Sequence, residues 1–97
     1  MTTLEATVDA ALADAAKHTG LKRADLKVLS AEEVMWSDGS LGCPQPGMMY
    51  TQALVPGYRV QIRAGGQDLD YHASRMGLPA LCPSGRAVPP SAGNERI

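Results

Sequence analysis

The segment Tyr58-Arg59-Val60-Gln61-Ile62-Arg63-Ala64-Gly65-Gly66-Gln67-Asp68-Leu69-Asp70-Tyr71-His72 alternates twice around a pair of glycines. Tyr58, Val60 and Ile62 interleave with Arg59, Gln61 and Arg63, the period of a strand with one apolar face. Leu69 and Tyr71 interleave with Asp68, Asp70 and His72 in the same way. Gly65-Gly66 supplies a two-residue hairpin turn, and that turn fixes the register. Ile62 then faces Leu69 and Val60 faces Tyr71 on the buried side. Arg63 faces Asp68, Gln61 faces Asp70 and Arg59 faces His72 on the other, which reads as exposed. A slip of one residue would mix both faces, so this pairing is strongly specified. The exposed charge pairs contribute up to ~1 kcal/mol each and serve register more than stability.

Before the hairpin, Leu26, Val28, Ser30, Glu32, Val34 and Trp36 share one parity. Ser30 and Glu32 break its apolar run, which predicts a strand with a break or bulge near its middle. Met48 to Val55 reads as a further strand stopped by Pro56-Gly57, and Leu78 to Cys82 as a short last one. At the N-terminus, Leu4, Val8, Ala11, Leu12, Ala15 and Ala16 recur at helical spacing. Thr2 and Glu5 fit a capping box and Gly20 a helix end, so residues 3–18 are expected to form an amphipathic helix. The expected architecture is α+β: one helix on an antiparallel sheet of three to five strands, residues 1–83. Residues 84–97 turn to Pro, Ser, Gly, Asn and charge and read as a disordered tail.

Composition narrows the function classes. The chain has 97 residues, enough for one domain. Its nine basic and ten acidic residues leave no basic surplus for nucleic acid or an anionic membrane surface. No apolar run approaches the roughly 20 residues of a membrane span, and the N-terminus lacks the pattern of a secretory signal. As written, the chain is expected to be soluble, cytoplasmic and monomeric. Cys43 and Cys82 are then two free thiols by default, and one disulfide if the compartment is oxidising.

Residues 37–47, Ser-Asp-Gly-Ser-Leu-Gly-Cys-Pro-Gln-Pro-Gly, hold three glycines and two prolines and must be a loop. With Trp36 before it, Tyr50-Thr51-Gln52 and Pro56-Gly57-Tyr58-Arg59-Val60 after it, and Tyr71-His72 beyond, it resembles an uncharacterised family of small bacterial domains. The resemblance runs from about Val28 to Cys82. It implies no activity and no catalytic residues, and some relatives look exported, which leaves the compartment open.

Each candidate site has a plainer structural reading. A thiol hydrolase would draw on Cys43, His72 and Asp38 or Asp70. Pro44, however, removes the amide that commonly assists such a nucleophile, and no helix start is present to lower the thiol pKa. Zinc would need Cys43, Cys82, His72 and His18, which lack paired spacing. Gly39, Gly42 and Gly47 match no phosphate-binding motif and read as turn glycines. Asp38-Gly39-Ser40 supplies too few acids for calcium. No cofactor is expected.

What remains is a proline-stiffened loop with methionines at its exit. Such a loop loses less entropy on binding, and Met and aromatic side chains are enriched at interfaces. The reading is a non-catalytic interaction or ligand-binding domain. Its working surface would be Asp38, Leu41, Pro44, Gln45, Pro46, Met48 and Met49, and its partner a protein or small molecule. Two alternatives stay open: an inhibitor presenting this loop to a protease, tied by a Cys43–Cys82 bond, and a cysteine-dependent enzyme.

Overall fold

The computed structural model describes residues 2–83 and 85–90. Helix α1 spans Leu4–Thr19, and a single 3₁₀ turn at Arg23–Asp25 leads into the sheet. The strands are β1 (Leu26–Trp36), β2 (Val55–Ala64), β3 (Gln67–Ser74) and β4 (Ala80–Cys82). They pair antiparallel in the order β1-β2-β3-β4, a meander with one helix. The expected α+β architecture is observed, with four strands. Every pairing drawn from the Gly65-Gly66 turn is present, from Ala64 with Gln67 to Arg59 with His72.

The helix begins one residue later than a Thr2 cap implies. Thr3 is the N-cap, its hydroxyl oxygen accepting the Ala6 N–H. Thr2 is engaged elsewhere: its N–H donates to the Arg75 carbonyl, and its own carbonyl accepts the Tyr58 hydroxyl. Gly20 closes the helix by donating its N–H to the Ala16 carbonyl. Ala11, Leu12 and Ala15 are buried against Val60, Ile62, Ala64, Leu69 and Tyr71, which form the core on the helix side. The two alanines let the helix lie close to the sheet. Tyr71 adds a polar tie, donating its hydroxyl to Asp14 at 2.8 Å. Burial, then the adjacent Asp14 charge, raises the Tyr71 pKa well above its usual value.

The bulge expected in β1 falls between Val28 and Ser30. It leaves Leu29 unpaired and switches parity. Before it, Leu26 and Val28 oppose Ala64 and Ile62; after it, Ala31 opposes Val60. Glu32 is thereby moved off the helix side and opposes Arg59, so no carboxylate points into the core. Trp36 is moved too, and it lies on the sheet face away from the helix.

That second face was expected to be exposed, with His72 on it. Arg63 and Asp68 at one end are exposed as expected, but the end that carries Trp36 and His72 is covered, because residues 37–54 fold back across it. The strand expected over Met48 to Val55 is not formed: 48–54 belong to this long connection, and β2 starts at Val55. Pro56 and Gly57 lie inside β2 rather than ending a strand. Pro56 sits at its second position, near the strand start where a missing N–H is tolerated.

Gly57 is required by Trp36. The indole crosses it to donate Nε1–H to the Ala73 carbonyl at 3.0 Å. A Cβ at Gly57 would lie 2.0 Å from the Ala73 oxygen and 2.8 Å from Trp36 Nε1. At the other end of the ring, a Cβ at Gly42 would lie 2.5 Å from Trp36 Cζ3. Trp36 thus meets a glycine at each end of its indole and is fully buried.

The segment expected to be a free tail from 84 on is tied down at one point, since Val88 N–H donates to the Gly42 carbonyl at 2.8 Å. The part of that expectation falling on 84 and 91–97 lies outside the described residues.

Truncating Trp36 to Ala removes a buried aromatic, so Trp36→Ala should cost about 3–5 kcal/mol. Gly57→Ala should destabilise by several kcal/mol through the clash alone. Urea unfolding checks both, and a Gly57→Ala variant within about 0.5 kcal/mol of wild type would show that the indole does not cross this residue.

Candidate functional site

The loop after β1 is built by local chemistry. Asp38 Oδ1 accepts both the Ser40 N–H at 2.8 Å and the Ser40 hydroxyl at 2.6 Å, an Asx turn. The Ser40 hydroxyl, then its amide, hold the Asp38 carboxyl below its ordinary pKa. Leu41 (φ 55°) and Gly42 (φ 72°) follow in the left-handed region. Leu41 is the one non-glycine residue there among those described, a conformation costing roughly 1–2 kcal/mol. Gly39 N–H donates to the Thr51 carbonyl, which joins the two arms of the loop. The Tyr50 hydroxyl accepts the Gln45 N–H at 3.0 Å and holds the Pro-Gln-Pro tip.

Cys43 and Cys82 are bonded to each other, with Cα atoms 5.8 Å apart. The default expectation of two free thiols does not hold. The loop and β4 converge on one side of the sheet, and the bond staples the loop to the strand. Closing a loop of 39 residues stabilises by about 4 kcal/mol in the chain-entropy account. A bonded Cys43 offers no thiolate, and Pro44 supplies no amide, so the hydrolase constellation is not assembled.

His72 is only 2% exposed. Its ring stacks on Trp36 with centroids 4.4 Å apart and planes 23° apart. Nδ1 lies 2.6 Å from the Leu41 carbonyl oxygen, and Nε2 lies 3.1 Å from Asp70 Oδ2, close in distance but off the hydrogen-bonding direction. Both ring nitrogens therefore face acceptors. The strained Leu41 peptide is held in place by this contact. Arg59 pairs diagonally with Asp70 through two hydrogen bonds, at 3.1 and 2.9 Å. Burial works to raise the Asp70 pKa, but the adjacent His72 ring and the Arg59 guanidinium, which is hydrogen-bonded to the carboxylate, outweigh it and hold it down to about 2.

Above this floor is a cleft of about 240 Å³ lined by loop, β4 and turn residues, among them Tyr50, Gln45, His72 and Arg86. Of the loop positions singled out from sequence, Leu41, Gln45 and Cys43 face the cleft, whereas Asp38 works as a turn former. Met48 and Met49 face solvent, at 58% and 94% exposure. Leu54 is also exposed, as are Met76 and Leu78 in the β3–β4 turn at the same end of the sheet. Arg86 was missed because it lies in the segment read as tail; Asp70 was weighed only as a partner of a Cys43 nucleophile, because its ladder looked exposed. Among the described residues no group of three or more His, Cys, Asp or Glu side chains is placed to hold a metal ion. No described helix is long and apolar enough to cross a membrane.

The lowered Asp70 value has a signed consequence. Its folded-state pKa lies below the ordinary 3.8, so the ionised carboxylate favours the folded state. This contribution is complete above about pH 4 and is lost as pH falls through about 2. The stability gap between wild type and Asp70→Asn should shrink by on the order of 1–2 kcal/mol between pH 4 and 2. Urea midpoints across that range check it, and a gap independent of pH would show that Asp70 is not held by Arg59 and His72.

No curated protein and no solved structure matches the chain. A family described as "Domain of unknown function (DUF8738)" matches residues 8–82. The matched span starts in α1 and ends at Cys82, so it takes in all four strands, the loop and both bonded cysteines. The chain belongs to this family of domains of unknown function.

Proposed function

We propose that the protein is a non-catalytic interaction domain of an oxidising compartment, working through the disulfide-tied loop between β1 and β2. The observation that carries this reading is the loop itself. It is anchored by the Cys43–Cys82 bond, the Asx turn and the Gly39–Thr51 hydrogen bond, yet it leaves Met48, Met49 and Leu54 in solvent. Large apolar side chains on a fixed backbone match what partner surfaces use: flexible thioether contacts on a frame that loses little entropy on binding. Met76 and Leu78 widen the apolar surface at that end of the sheet. The bond between Cys43 and Cys82 supports an oxidising compartment over the cytoplasmic reading. The absence of a free thiol beside His72 supports a non-catalytic role.

The same anchoring favours a second reading, presentation of residues 44–49 to a protease, since inhibitory loops need a backbone fixed on both sides of the contact.

A Met48→Ala, Met49→Ala double variant should melt within about 2 °C of wild type, because both side chains are exposed. In a pull-down from an extract of the source cell's exported proteins, wild type should retain a partner that this variant loses. Equal retention by the variant would refute the apolar-loop reading. Protease inhibition that disappears when the Cys43–Cys82 bond is reduced would transfer the assignment to the second reading.

A further inference from the structure

We propose that the cleft between the loop, β4 and the side chains of Pro83 and Arg86 binds a small organic carboxylate. The cleft shares the loop of the reading above but not its exposed methionines, so either can fail alone.

The cation comes first. Arg23, Arg59, Arg63 and Arg75 are paired with Asp9, Asp70, Asp68 and Glu33. Arg86, on the cleft wall, has no side-chain hydrogen bond or ion pair among the described residues. No acid lines the cleft to compete for it. A planar guanidinium left open beside a partly closed cavity matches a carboxylate in geometry and charge.

Neutral donors surround it. The Tyr50 hydroxyl accepts the Gln45 N–H, which leaves its own proton without an acceptor among the described residues. The Gln45 side-chain amide is likewise unengaged and lines the same cleft. Leu41, Ala80, Leu81 and Pro83 supply apolar walls for the body of the ligand. At about 240 Å³ the space lies below the roughly 300–1,000 Å³ of ordinary ligand pockets, which suits a compact acid rather than a nucleotide. One cation with neutral donors fits a monoanion better than a phosphate dianion.

The chain carries its own reporter. His72 lines the cleft and stacks on Trp36, the single tryptophan. Titration of the intact, oxidised protein with benzoate should change Trp36 emission saturably, whereas benzamide, of the same shape without the charge, should not. An acetylated dipeptide acid set against its amide tells a peptide C-terminus from a free small acid, both being carboxylates. Arg86→Gln should weaken benzoate by about tenfold or more while leaving the melting midpoint in place, since that side chain holds no other described residue by a hydrogen bond or ion pair. The proposal is overturned by any of four results: no saturable change up to about 10 mM benzoate, equal response to benzamide, undiminished binding by Arg86→Gln, or tighter binding of inorganic phosphate than of either acid.

Discussion

Burial of one indole organises this domain. Trp36 lies on the sheet face away from the helix, where a flat surface would otherwise meet water. It fits because β2 offers Gly57 at the pyrrole end of the indole and the loop offers Gly42 at the benzo end, while His72 stacks on the ring. Its N–H then reaches across β2 to the Ala73 carbonyl, so a single side chain ties β1 to β3 over the intervening strand. A buried indole without that acceptor would leave an unsatisfied donor, at roughly 1–3 kcal/mol. The apolar gain and the polar satisfaction demand the same position, which leaves the ring no alternative.

Two small cores result, one on each side of the meander. The helix side is largely aliphatic, built from Val60, Ile62, Leu69 and the alanines of α1 around the fully buried Tyr71. The other side is mixed: Trp36, His72 and the disulfide sit beside a half-buried ion pair of Arg59 and Asp70. The polar groups of this face largely satisfy one another: Asp70 is held by Arg59, its other neighbour is the His72 ring that packs on Trp36, and that ring's Nδ1 meets the Leu41 carbonyl. Removing one member would leave the others buried without compensation.

The hairpin was legible because both its faces alternate and its turn has one plausible length. The helix was legible for the same reason, a period set by local geometry. The second core was hidden by two things. Leu29, where β1 bulges, carries no residue type that marks a parity switch, so Trp36 seemed to share a face with Leu26. Arg59, Asp70 and His72 look like an exposed polar ladder, and nothing local announces that a distant loop covers them. The cysteines showed that a bond was possible, but their convergence depends on the loop path and on β4. Arg86 was the least legible, since its place follows from a turn held near the domain by Val88 and Gly42 rather than from any pattern of its own.

The loop's internal cost bears on what it is for. Leu41 sits in a left-handed conformation that a glycine would adopt freely, and its carbonyl is spent on a buried histidine. A loop whose only task was to connect β1 to β2 could avoid both, for the two strands are neighbours and a short hairpin would join them. Strain of this kind persists where the surroundings over-determine it, and here they do: the Asx turn fixes the approach, the disulfide fixes the exit, and Trp36 fills the space beneath. The folding free energy of the domain therefore holds the loop in one shape before any partner arrives. Under the proposed interaction role, a partner docking on its exposed methionines would meet a surface whose ordering cost has already been met in folding, an advantage that a flexible connection would lack.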